Sequence, residues 1–416
     1  MTAVEDAPAT VVGPPRIADR LYHDMLAPAE IVDVRSRVRD IASRVVAPVA
    51  ARIANQDERT DGFPDDVFDA LAREGLYRVP FEADVGGEGL AHRATATAVA
   101  VEELAYYSNS VAAIFDVHCI LAGNAVNQGT PEQRERWLRA LINGETVGAF
   151  ATSEPAASSD LSPEAVSTRA ARDGDGWVLN GRKRWITNSV AAGFVVVLAG
   201  TGSRLSTFIV PTDSPGLTVG TADRKMGNRG QITADVVLDQ VRVGPEALLG
   251  TEGGGLKIAL QTLTYGRIGI AAAGVGMAQA AFDHTAEHLR NRHAFGGPLA
   301  GKQHWQFLMA ERATQIEMAR DLYLKAALRL DSGIPFPEPE AAMAKHVGTT
   351  LAADMARDAV QAFGGFGFTA ERGADGEPGP VEAFYRDAKI GEIYEGANEV
   401  QKWVIARSIF GRDITG

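Results

Sequence analysis

The 416-residue sequence contains a single cysteine, Cys119. One thiol can form no disulfide within the chain and cannot supply the thiolates of a structural zinc site. His118 precedes it, but no further ligand residues accompany the pair at metal-binding spacing. We therefore predict that the protein holds no metal.

Basic residues are also relatively few: 41 lysines and arginines stand against 53 aspartates and glutamates, which gives a net charge of −12. Nucleic-acid-binding proteins carry a basic stripe, and anionic membranes attract basic segments, so neither partner is expected. No apolar run approaches membrane-spanning length. The first residues include Glu5 and Asp6 and lack the basic start of a signal or transit peptide. We predict a cytoplasmic protein with a disordered tail over residues 1–25.

Several common cofactor and catalytic motifs are missing, including the GxxxxGK[ST] phosphate loop and the GxSxG nucleophile elbow. Gly274-Val275-Gly276 lies in an alanine-rich helical pattern with no strand before it. We interpret these glycines as helix-packing residues and not as a dinucleotide-binding loop.

The hydrophobic content of 45% is that of a globular protein, and the length favours two or three domains. Apolar residues from Val34 to Ile53 recur every three or four positions, which predicts a helix that Pro48 should kink. A second helix is expected from Pro64 to Gly75. Residues 26–146 are predicted to form an N-terminal helical domain.

Residues 147–250 carry short β-branched runs separated by turn residues. Asn180-Gly181 lies between two such runs and predicts a hairpin turn. Strands at regular spacing without helices between them indicate a central antiparallel β-barrel or sandwich. From residue 251 to 416 the helical period returns, as in Ala341–Phe363, and predicts a C-terminal helical bundle. The predicted fold class is therefore α+β and multidomain.

Two segments of the β region could hold a flat, polar ligand. Phe150, Thr152 and Ser153 lead from a strand into a loop of small and hydroxyl residues, although such residues are also common in simple turns. Trp185 and Thr187 lie two positions apart and therefore face the same side of a strand. An aromatic face beside a hydroxyl suits a flavin, but a core tryptophan has the same sequence pattern.

Two further segments carry arginine, glutamine and glycine at helix ends. Arg292 precedes a glycine turn, and it could bind a diphosphate or simply cap its helix. Gln361 precedes Gly364-Gly365, which could end a helix or let the backbone approach a cofactor.

The segment Arg386–Val400, RDAKIGEIYEGANEV, places Glu395 between an aromatic residue and a glycine. If Ile393, Tyr394 and Gly396 enclose the carboxylate, lost hydration should raise its pKa and make it a stronger base. An ordinary solvated glutamate is the alternative. Glu392, Glu395 and Glu399 would share a helix face if the helix continued, but no second type of metal ligand accompanies them.

Taken together, these segments resemble the acyl-CoA dehydrogenase family from about Leu26 to Gly411. SEPAASSD, LNGRKRWITN, RHAFGGPL, QAFGGFGF and RDAKIGEIYEGANEV occur in the family's order and near its spacing. GRIGIA (Gly266–Ala271) and EAAMAK (Glu340–Lys345) are most similar to its short-chain and branched-chain members. The resemblance implies an N-terminal helical domain, a central β domain and a C-terminal four-helix bundle.

The resemblance also implies FAD, an acyl-CoA thioester substrate, an electron-transfer flavoprotein as electron acceptor and a homotetrameric dimer of dimers. It makes Glu395 the catalytic base that removes the substrate's α-proton before the β-hydride passes to the flavin. The cofactor-binding residues implied are Phe150, Thr152, Ser153, Ser159, Trp185, Thr187, Arg292, Phe295, Gln303, Gln361, Gly364, Gly365, Ala397, Asn398 and Glu399. The substrate-binding residues implied are Ser159, Tyr265, Gly266, Arg267, Tyr394 and Gly396.

The chain departs from the family pattern in three places. Ala397 stands where threonine is usual, and residues 370–384 form a longer segment with Ala383 where arginine is common. Gly266 stands where some long-chain and isovaleryl-type members carry their base, so that role falls to Glu395.

Three alternatives remain open from the sequence. The thioester could be carried by an acyl carrier protein, because both carriers present pantetheine. The same scaffold could act as a flavin-dependent monooxygenase or oxidase, although those proteins generally lack the glutamate. A non-catalytic scaffold is the third, and the presence of both the flavin set and the base disfavours it.

Overall fold

The computed structural model describes residues 14–17, 27–157, 159–372 and 377–415. Apart from residues 14–17, the predicted tail over residues 1–25 lies outside the described residues. Residues 373–376, within the segment that is longer than usual in the family, also lie outside them.

The N-terminal part of the described chain is helical. Its α-helices are α1 (Ala29–Ile41), α2 (Ala50–Asn55), α3 (Asp65–Arg73), α4 (Arg93–Ala105), α5 (Asn109–Phe115), α6 (Asn124–Asn127), α7 (Pro131–Gln133) and α8 (Arg139–Ile142). Between them lie π-helical segments at Ala42–Val46, Asp116–Gly123 and Arg134–Leu138, and 3-10 turns at Ala47–Val49, Leu76–Arg78 and Ala83–Val85. Regular α-helix is lost just before Pro48, which confirms the predicted interruption. The second predicted helix is α3, and Gly75 after it has a φ of 75°.

The helical stretch Asn109–Asn127 forms the centre of this region. It is long and apolar enough to span a membrane, so the expectation that no run approaches that length was wrong. In the structure, 94% of its apolar window is buried inside the protein. Its apolar character is explained by its packing against α4, the later helix Gly255–Asn291 and the strand Val147–Ala151 in the hydrophobic core.

The central part of the chain is one eight-stranded sheet. Its strands are β1 (Val147–Ala151), β2 (Arg169–Asp173), β3 (Gly176–Thr187), β4 (Ala192–Thr201), β5 (Arg204–Pro211), β6 (Leu217–Val219), β7 (Thr233–Val243) and β8 (Leu248–Leu249). Their order is β6-β7-β3-β2-β4-β5-β8, with β1 on β4. The ladders are antiparallel except for β1 with β4 and a single parallel pair, Arg169 with Gly200. A 3-10 turn, Pro245–Ala247, precedes β8.

The hairpin predicted at Asn180-Gly181 was wrong. Both residues lie inside β3, and the ladder with β7 shifts register between Leu179 and Gly181. The actual turn joins β2 to β3 at Gly174-Asp175, where Gly174 has a φ of 61°. Asn-Gly here marks a β-bulge, the other common place for glycine in a strand.

The C-terminal part is a bundle built on three long helices. Its helices are α9 (Gly255–Asn291), α10 (Gln303–Asp331), α11 (Glu338–Phe363), α12 (Gly365–Phe368), α13 (Pro380–Gly391), α14 (Asn398–Phe410) and α15 (Arg412–Thr415). Short strand pairs β9 (His293–Ala294) with β10 (Gly297–Pro298) and β11 (Glu371–Arg372) with β12 (Glu377–Pro378), and a 3-10 turn at Leu299–Gly301, lie between them.

Small residues let α9 approach its neighbours closely. A β-carbon at Gly274 would overlap the backbone of Gly348 on α11, and one at Gly276 would overlap the Glu102 carbonyl on α4. These two glycines are therefore packing residues, as predicted. The helical, β-sheet and helical order confirms the predicted fold class.

Candidate active site

Glu395 lies in the connection between α13, which ends at Gly391, and α14, which begins at Asn398. Its φ is 52°, and that of Gly396 is 91°. The left-handed conformation costs a non-glycine residue about 1 kcal/mol, and the following glycine adopts it freely. The helix therefore does not continue through Glu399, and the shared acidic face considered for Glu392, Glu395 and Glu399 does not form.

Hydrogen bonds from two helices hold this connection. Lys345 Nζ donates to the Gly396 carbonyl at 3.0 Å and to Asn398 Oδ1 at 2.9 Å. Gln401 Nε2 donates to the same carbonyl at 2.8 Å. The Asn398 N–H donates to the Glu392 carbonyl at 2.9 Å, which closes the turn. The carboxyl group of Glu395 is thus carried on a fixed backbone.

The surroundings of the Glu395 carboxyl come from distant parts of the chain. A β-carbon at Gly266 on α9 would overlap Glu395 Oε2 and would lie 2.8 Å from Leu121 Cδ2. The expectation that Ile393 encloses the carboxylate was wrong, because that side chain is 53% exposed. The absence of a side chain at Gly266 therefore makes the space that the carboxyl occupies.

Burial raises the pKa of Glu395 to about 7, and it is the largest influence on that pKa. A hydrogen bond from Asp116 and the positive charges of Lys345 and Arg267 act in the opposite direction. Glu395 as a whole residue is partly exposed, but its Oε2 is buried. The pKa depends on the burial of the carboxyl group and not on the exposure of the rest of the residue. A carboxyl with a pKa near neutrality is suited to proton transfer at physiological pH. The predicted direction of this shift is confirmed.

Asp116 is a second buried carboxyl beside Glu395, and the sequence analysis missed it. It is fully buried in the π-helical segment Asp116–Gly123, and its pKa is raised well above the usual range by burial and then by Glu395. A single acid inside the apolar run Val111–Leu121 was the signal that could have identified it.

The structure brings four of the predicted substrate-binding residues to this place: Gly266, Arg267, Tyr394 and Gly396. Arg267 is buried, and among the described residues its Nε and Nη1 have no hydrogen-bond partner. Burial lowers its pKa, while Glu338 and Glu395 favour its charged form. A buried guanidinium with unused donors is a candidate group for binding a polar ligand.

Two predicted substrate residues are placed differently. Tyr265 is next to Gly266 in sequence, but its hydroxyl lies on the α4 side. Burial raises its pKa, and the groups that modify this pKa include Thr97 and Arg93 of α4. Ser159 is exposed in the loop between β1 and β2. Among the described residues, no hydrogen bond joins Ser159 to Glu395.

The predicted flavin residues Phe150, Thr152 and Ser153 lie at the end of β1 and just beyond it. The chain here is anchored by Lys183, whose Nζ donates to the Thr152 carbonyl at 3.1 Å and to Glu154 at 2.9 Å. Both charged side chains are almost completely buried. This Lys183–Glu154 pair positions the loop, and sequence reasoning did not find it.

Trp185 occupies a bulge of β3, between the pairs Lys183–Val236 and Ile186–Ala234. Its φ is 58° and its side chain is 52% exposed, so it is not a core tryptophan. The hydroxyl of Thr187 accepts a 2.7 Å hydrogen bond from Gln231 Nε2. A strained backbone that presents a large aromatic face outward is typical of a ligand-binding surface.

The remaining predicted cofactor residues form a second group, which follows the ends of α9 and α11 and includes the start of α10. All are exposed in this chain, Phe295 to 91%, and no backbone hydrogen bond joins them to Glu395 among the described residues. The group consists of Arg292, Phe295, Gln303, Gln361, Gly364 and Gly365. A β-carbon at Gly364 or Gly365 would meet open space, which leaves their backbone accessible.

Ala397 to Glu399 begin α14, next to the base. The side chain of Asn398 is buried and bonded to Lys345, Thr349 and Thr350, so it is not available to a cofactor. Any contribution of Asn398 to cofactor binding is thereby limited to its backbone. Glu399 is exposed.

The residues present fit a flavin dinucleotide. Trp185 offers an exposed ring for a planar heterocycle, and the open glycine turns with Arg292 suit a phosphate-bearing group. No cluster of three potential metal ligands occurs within residues 14–17, 27–157, 159–372 and 377–415.

Three family models match consecutive parts of the chain. Residues 28–145 match the acyl-CoA dehydrogenase N-terminal domain, residues 149–241 the middle domain and residues 253–410 the C-terminal domain.

Individual proteins are similar over almost the whole chain. The rat (Rattus norvegicus) short-chain specific acyl-CoA dehydrogenase is 38% identical over 93% of this chain and 91% of its own length. Butyryl-CoA dehydrogenase from Megasphaera elsdenii has a TM-score of 0.86 at 35% identity, covering 93% of this chain and 100% of that one. A glutaryl-CoA dehydrogenase from Mycobacterium smegmatis, in complex with FADH2, has a TM-score of 0.85 at 25% identity, covering 95% and 98%.

Proposed function

Because the chain belongs to the acyl-CoA dehydrogenase family, and is thus an FAD-dependent oxidoreductase, we propose that its substrates are short or branched acyl-CoA thioesters and that Glu395 removes their α-proton. Two of its relatives are a short-chain specific acyl-CoA dehydrogenase and a butyryl-CoA dehydrogenase, which supports the short acyl chain. Leu121 supports it too, because its Cδ2 would lie 2.8 Å from a β-carbon at Gly266 and so takes up space beside the base.

The observation that carries the assignment of the base is the Glu395 carboxyl itself. Its Oε2 is buried, burial raises its pKa to about 7, and the backbone that carries it is held by Lys345 and Gln401. With a pKa of about 7, such a carboxyl is partly ionised near neutral pH and binds a proton strongly enough to remove a weakly acidic one.

The backbone N–H of Glu395 has a second role. Among the described residues it donates no hydrogen bond, although it lies in a well-ordered turn. A free N–H beside the base can donate a hydrogen bond to the thioester carbonyl oxygen and stabilise the negative charge that develops there when the α-proton leaves. One well-placed donor of this kind contributes about 3–4 kcal/mol to the transition state.

FAD, when bound, accepts the hydride from the β-carbon. Trp185, with Phe150, Thr152 and Ser153, would hold its ring system near the base, while the exposed group around Arg292 would bind the dinucleotide of a second copy. The 91% exposure of Phe295 supports that part of the proposal, because a large ring so exposed is usually covered in an assembly. A homotetramer, an electron-transfer flavoprotein as acceptor and a cytoplasmic location remain proposals that rest on the family resemblance and the sequence.

Anaerobic titration with a panel of acyl-CoAs, followed by flavin absorbance, tests this function. We expect short and branched thioesters to bleach the flavin of the wild-type protein. Glu395→Gln should keep its FAD but lose bleaching, because the amide cannot take the proton. The matched control is Glu392→Gln, three residues away, whose side chain pairs with Lys389 at 2.6 Å.

Retained bleaching in Glu395→Gln would refute the assignment of the base. Reduction by acyl-carrier-protein thioesters but not by any acyl-CoA would instead show that the carrier differs from the one proposed. Rapid reaction of the reduced flavin with oxygen, coupled to substrate oxygenation, would indicate the monooxygenase alternative.

A further inference from the structure

Asp116 is a buried acid that the proposed reaction has not yet used. It begins the π-helical segment after α5 and is 0% exposed. Among the described residues, no N–H or O–H group donates to either of its carboxyl oxygens, and its hydrogen-bonding neighbour is the Glu395 carboxyl. An uncompensated polar group in a protein interior costs free energy, so such groups are rare and often functional.

Two glycines on α9 make room for Asp116 and Glu395 together. A β-carbon at Gly266 would overlap Glu395 Oε2, and one at Gly269 would overlap Asp116 Oδ1. Residues three apart on a helix lie on the same face, with about 5–6 Å between their β-carbons. The two carboxyl groups therefore lie side by side against one stripe of α9, in space that any other residue at these positions would fill.

Two carboxyl groups so close in a dry site do not both ionise, and the surrounding charges decide which one keeps its proton. Lys345 and Arg267 favour the negative charge on Glu395. For Asp116, burial and the Glu395 charge both favour the neutral acid, and no cation in the described part of the chain counters them. The proton of the pair therefore belongs to Asp116.

We propose that Asp116 is a positioning residue that remains a neutral acid and donates a hydrogen bond to the Glu395 carboxylate, holding the base ionised and oriented for proton removal. The catalytic part of this proposal rests on the proposed function. The protonation of Asp116 does not, because it follows from the geometry of the unliganded protein.

Other titratable groups face the pair and have to be considered in a test that varies pH. Burial raises the pKa of both Tyr394 and Cys119, so they stay neutral. Burial lowers the pKa of Arg267, but a guanidinium does not lose its proton in proteins, so Arg267 stays charged. Lys345 has a pKa lowered to about 7, mainly by burial, and it titrates in the same range as Glu395. A pH profile of the wild type alone therefore cannot identify the donor, whereas two variants at Asp116 can.

Asp116→Asn and Asp116→Val form the informative pair, because the amide can still donate to the Glu395 carboxylate and the isopropyl group cannot. The rate of flavin reduction by butyryl-CoA is measured from pH 5.5 to 9 in each. In Asp116→Val we expect the acidic limb of the profile to move upward by about one pH unit, equivalent to a tenfold loss of ionised base at low pH. In Asp116→Asn the limb should stay close to that of the wild type.

Two outcomes of the profiles would overturn the proposal. If Asp116 is ionised, removing its charge in either variant makes Glu395 ionise more easily, and both limbs move downward. If Asp116 is purely structural, the rate falls or FAD is lost without movement of the limb.

Infrared difference spectroscopy of the substrate-free protein at pH 8 gives a readout that does not need turnover. The wild type should show the carbonyl stretch of a protonated carboxyl that is missing in Asp116→Asn, and its absence from the wild type would refute the proposal. If no acyl-CoA bleaches the wild-type flavin but the band is present, the proposed function fails and the protonated Asp116 stands. Should Asp116→Val fail to fold, the Asn variant and the infrared band still decide the matter.

Discussion

Glu102 and Glu395 are two glutamates with buried carboxyl groups whose pKa values move in opposite directions. Glu102 lies on α4, where Arg320 Nε donates to it at 2.9 Å, Arg35 Nη1 at 3.1 Å, and the Tyr323 hydroxyl donates as well. Burial raises its pKa, but these cations and donors outweigh burial and the pKa falls to about 2.

Glu395, whose Oε2 is also buried, makes no direct ion pair among the described residues. Lys345 and Arg267 act on its pKa from a distance, Lys345 being bonded instead to Gly396 and Asn398. Burial therefore dominates. Burial alone therefore does not fix the pKa of a carboxyl. Full pairing makes Glu102 a permanent anion that joins α4 to α10, whereas incomplete pairing leaves Glu395 able to exchange a proton.

The largest expected effect comes from removing the pairing of Glu102. Arg320→Met keeps most of the side-chain volume but leaves a buried carboxylate short of its main cation, which costs about 3–5 kcal/mol in the free energy of unfolding. We expect a large decrease in the urea midpoint of the FAD-loaded protein, followed by circular dichroism.

The matched control for Arg320→Met is Arg52→Met. Arg52 pairs with Asp66 at 2.7 Å on the surface, where both side chains are half exposed or more. An exposed ion pair contributes at most about 1 kcal/mol. Equal midpoints for the two variants would contradict the view that pairing at Glu102 carries the stability.

The pH dependence of stability should have opposite sign for the two glutamates. The pKa of Glu102 is lowered in the folded state, so its contribution is complete above about pH 4.5 and is lost as the pH falls toward 2. The pKa of Glu395 is raised to about 7, so the folded protein loses stability as the pH rises from about 4.5 to 7.

Glu395→Gln removes that titration. Its free energy of unfolding, relative to that of the wild type, is therefore expected to be greater at pH 8 than at pH 5. The gain is on the order of 1–3 kcal/mol, as the size of the pKa shift implies. Urea midpoints at the two pH values measure it, with Glu102→Gln as the comparison, whose loss should be as large at pH 8 as at pH 5. A gain for Glu395→Gln that is independent of pH would mean that Glu395 is ordinarily acidic in the folded protein.

Local patterns in the sequence predicted much of the fold. The sequence changes from a helical hydrophobic period to short β-branched runs and back again, and this change predicted the order of the three regions. It could do so because periodicity is a property of neighbouring residues. The interruption at Pro48 followed from the missing amide hydrogen of proline. The hairpin at Asn180-Gly181 failed because the same dipeptide also suits a bulge, and only pairing with β7 distinguishes the two.

The site was predictable only in part for the same reason. Glu395 was found through its own segment and the family resemblance, and its raised pKa was expected. Asp116 and the Lys183–Glu154 pair were not found, because their importance depends on contacts with residues 29 to 279 positions away in the sequence. The substitution of Ala397 for the family's usual threonine has no explanation in the structure.

The smallest expected effect tests where the environment of Glu395 comes from. The sequence neighbour Ile393 is 53% exposed, whereas Leu121 from the π-helical segment is 6% exposed and lies at the space occupied by the carboxyl. Ile393→Ala should therefore change the rate of flavin reduction by less than about twofold and leave its acidic limb in place, as surface substitutions generally do. Leu121→Ala, a truncation of the same kind, should admit water and lower the pKa of Glu395, which moves the acidic limb downward. The opposite result, in which the acidic limb moves in Ile393→Ala but not in Leu121→Ala, would contradict this view. It would show that the sequence neighbours of Glu395 set its pKa, and that the packing of α9 and the π-helical segment against the carboxyl does not.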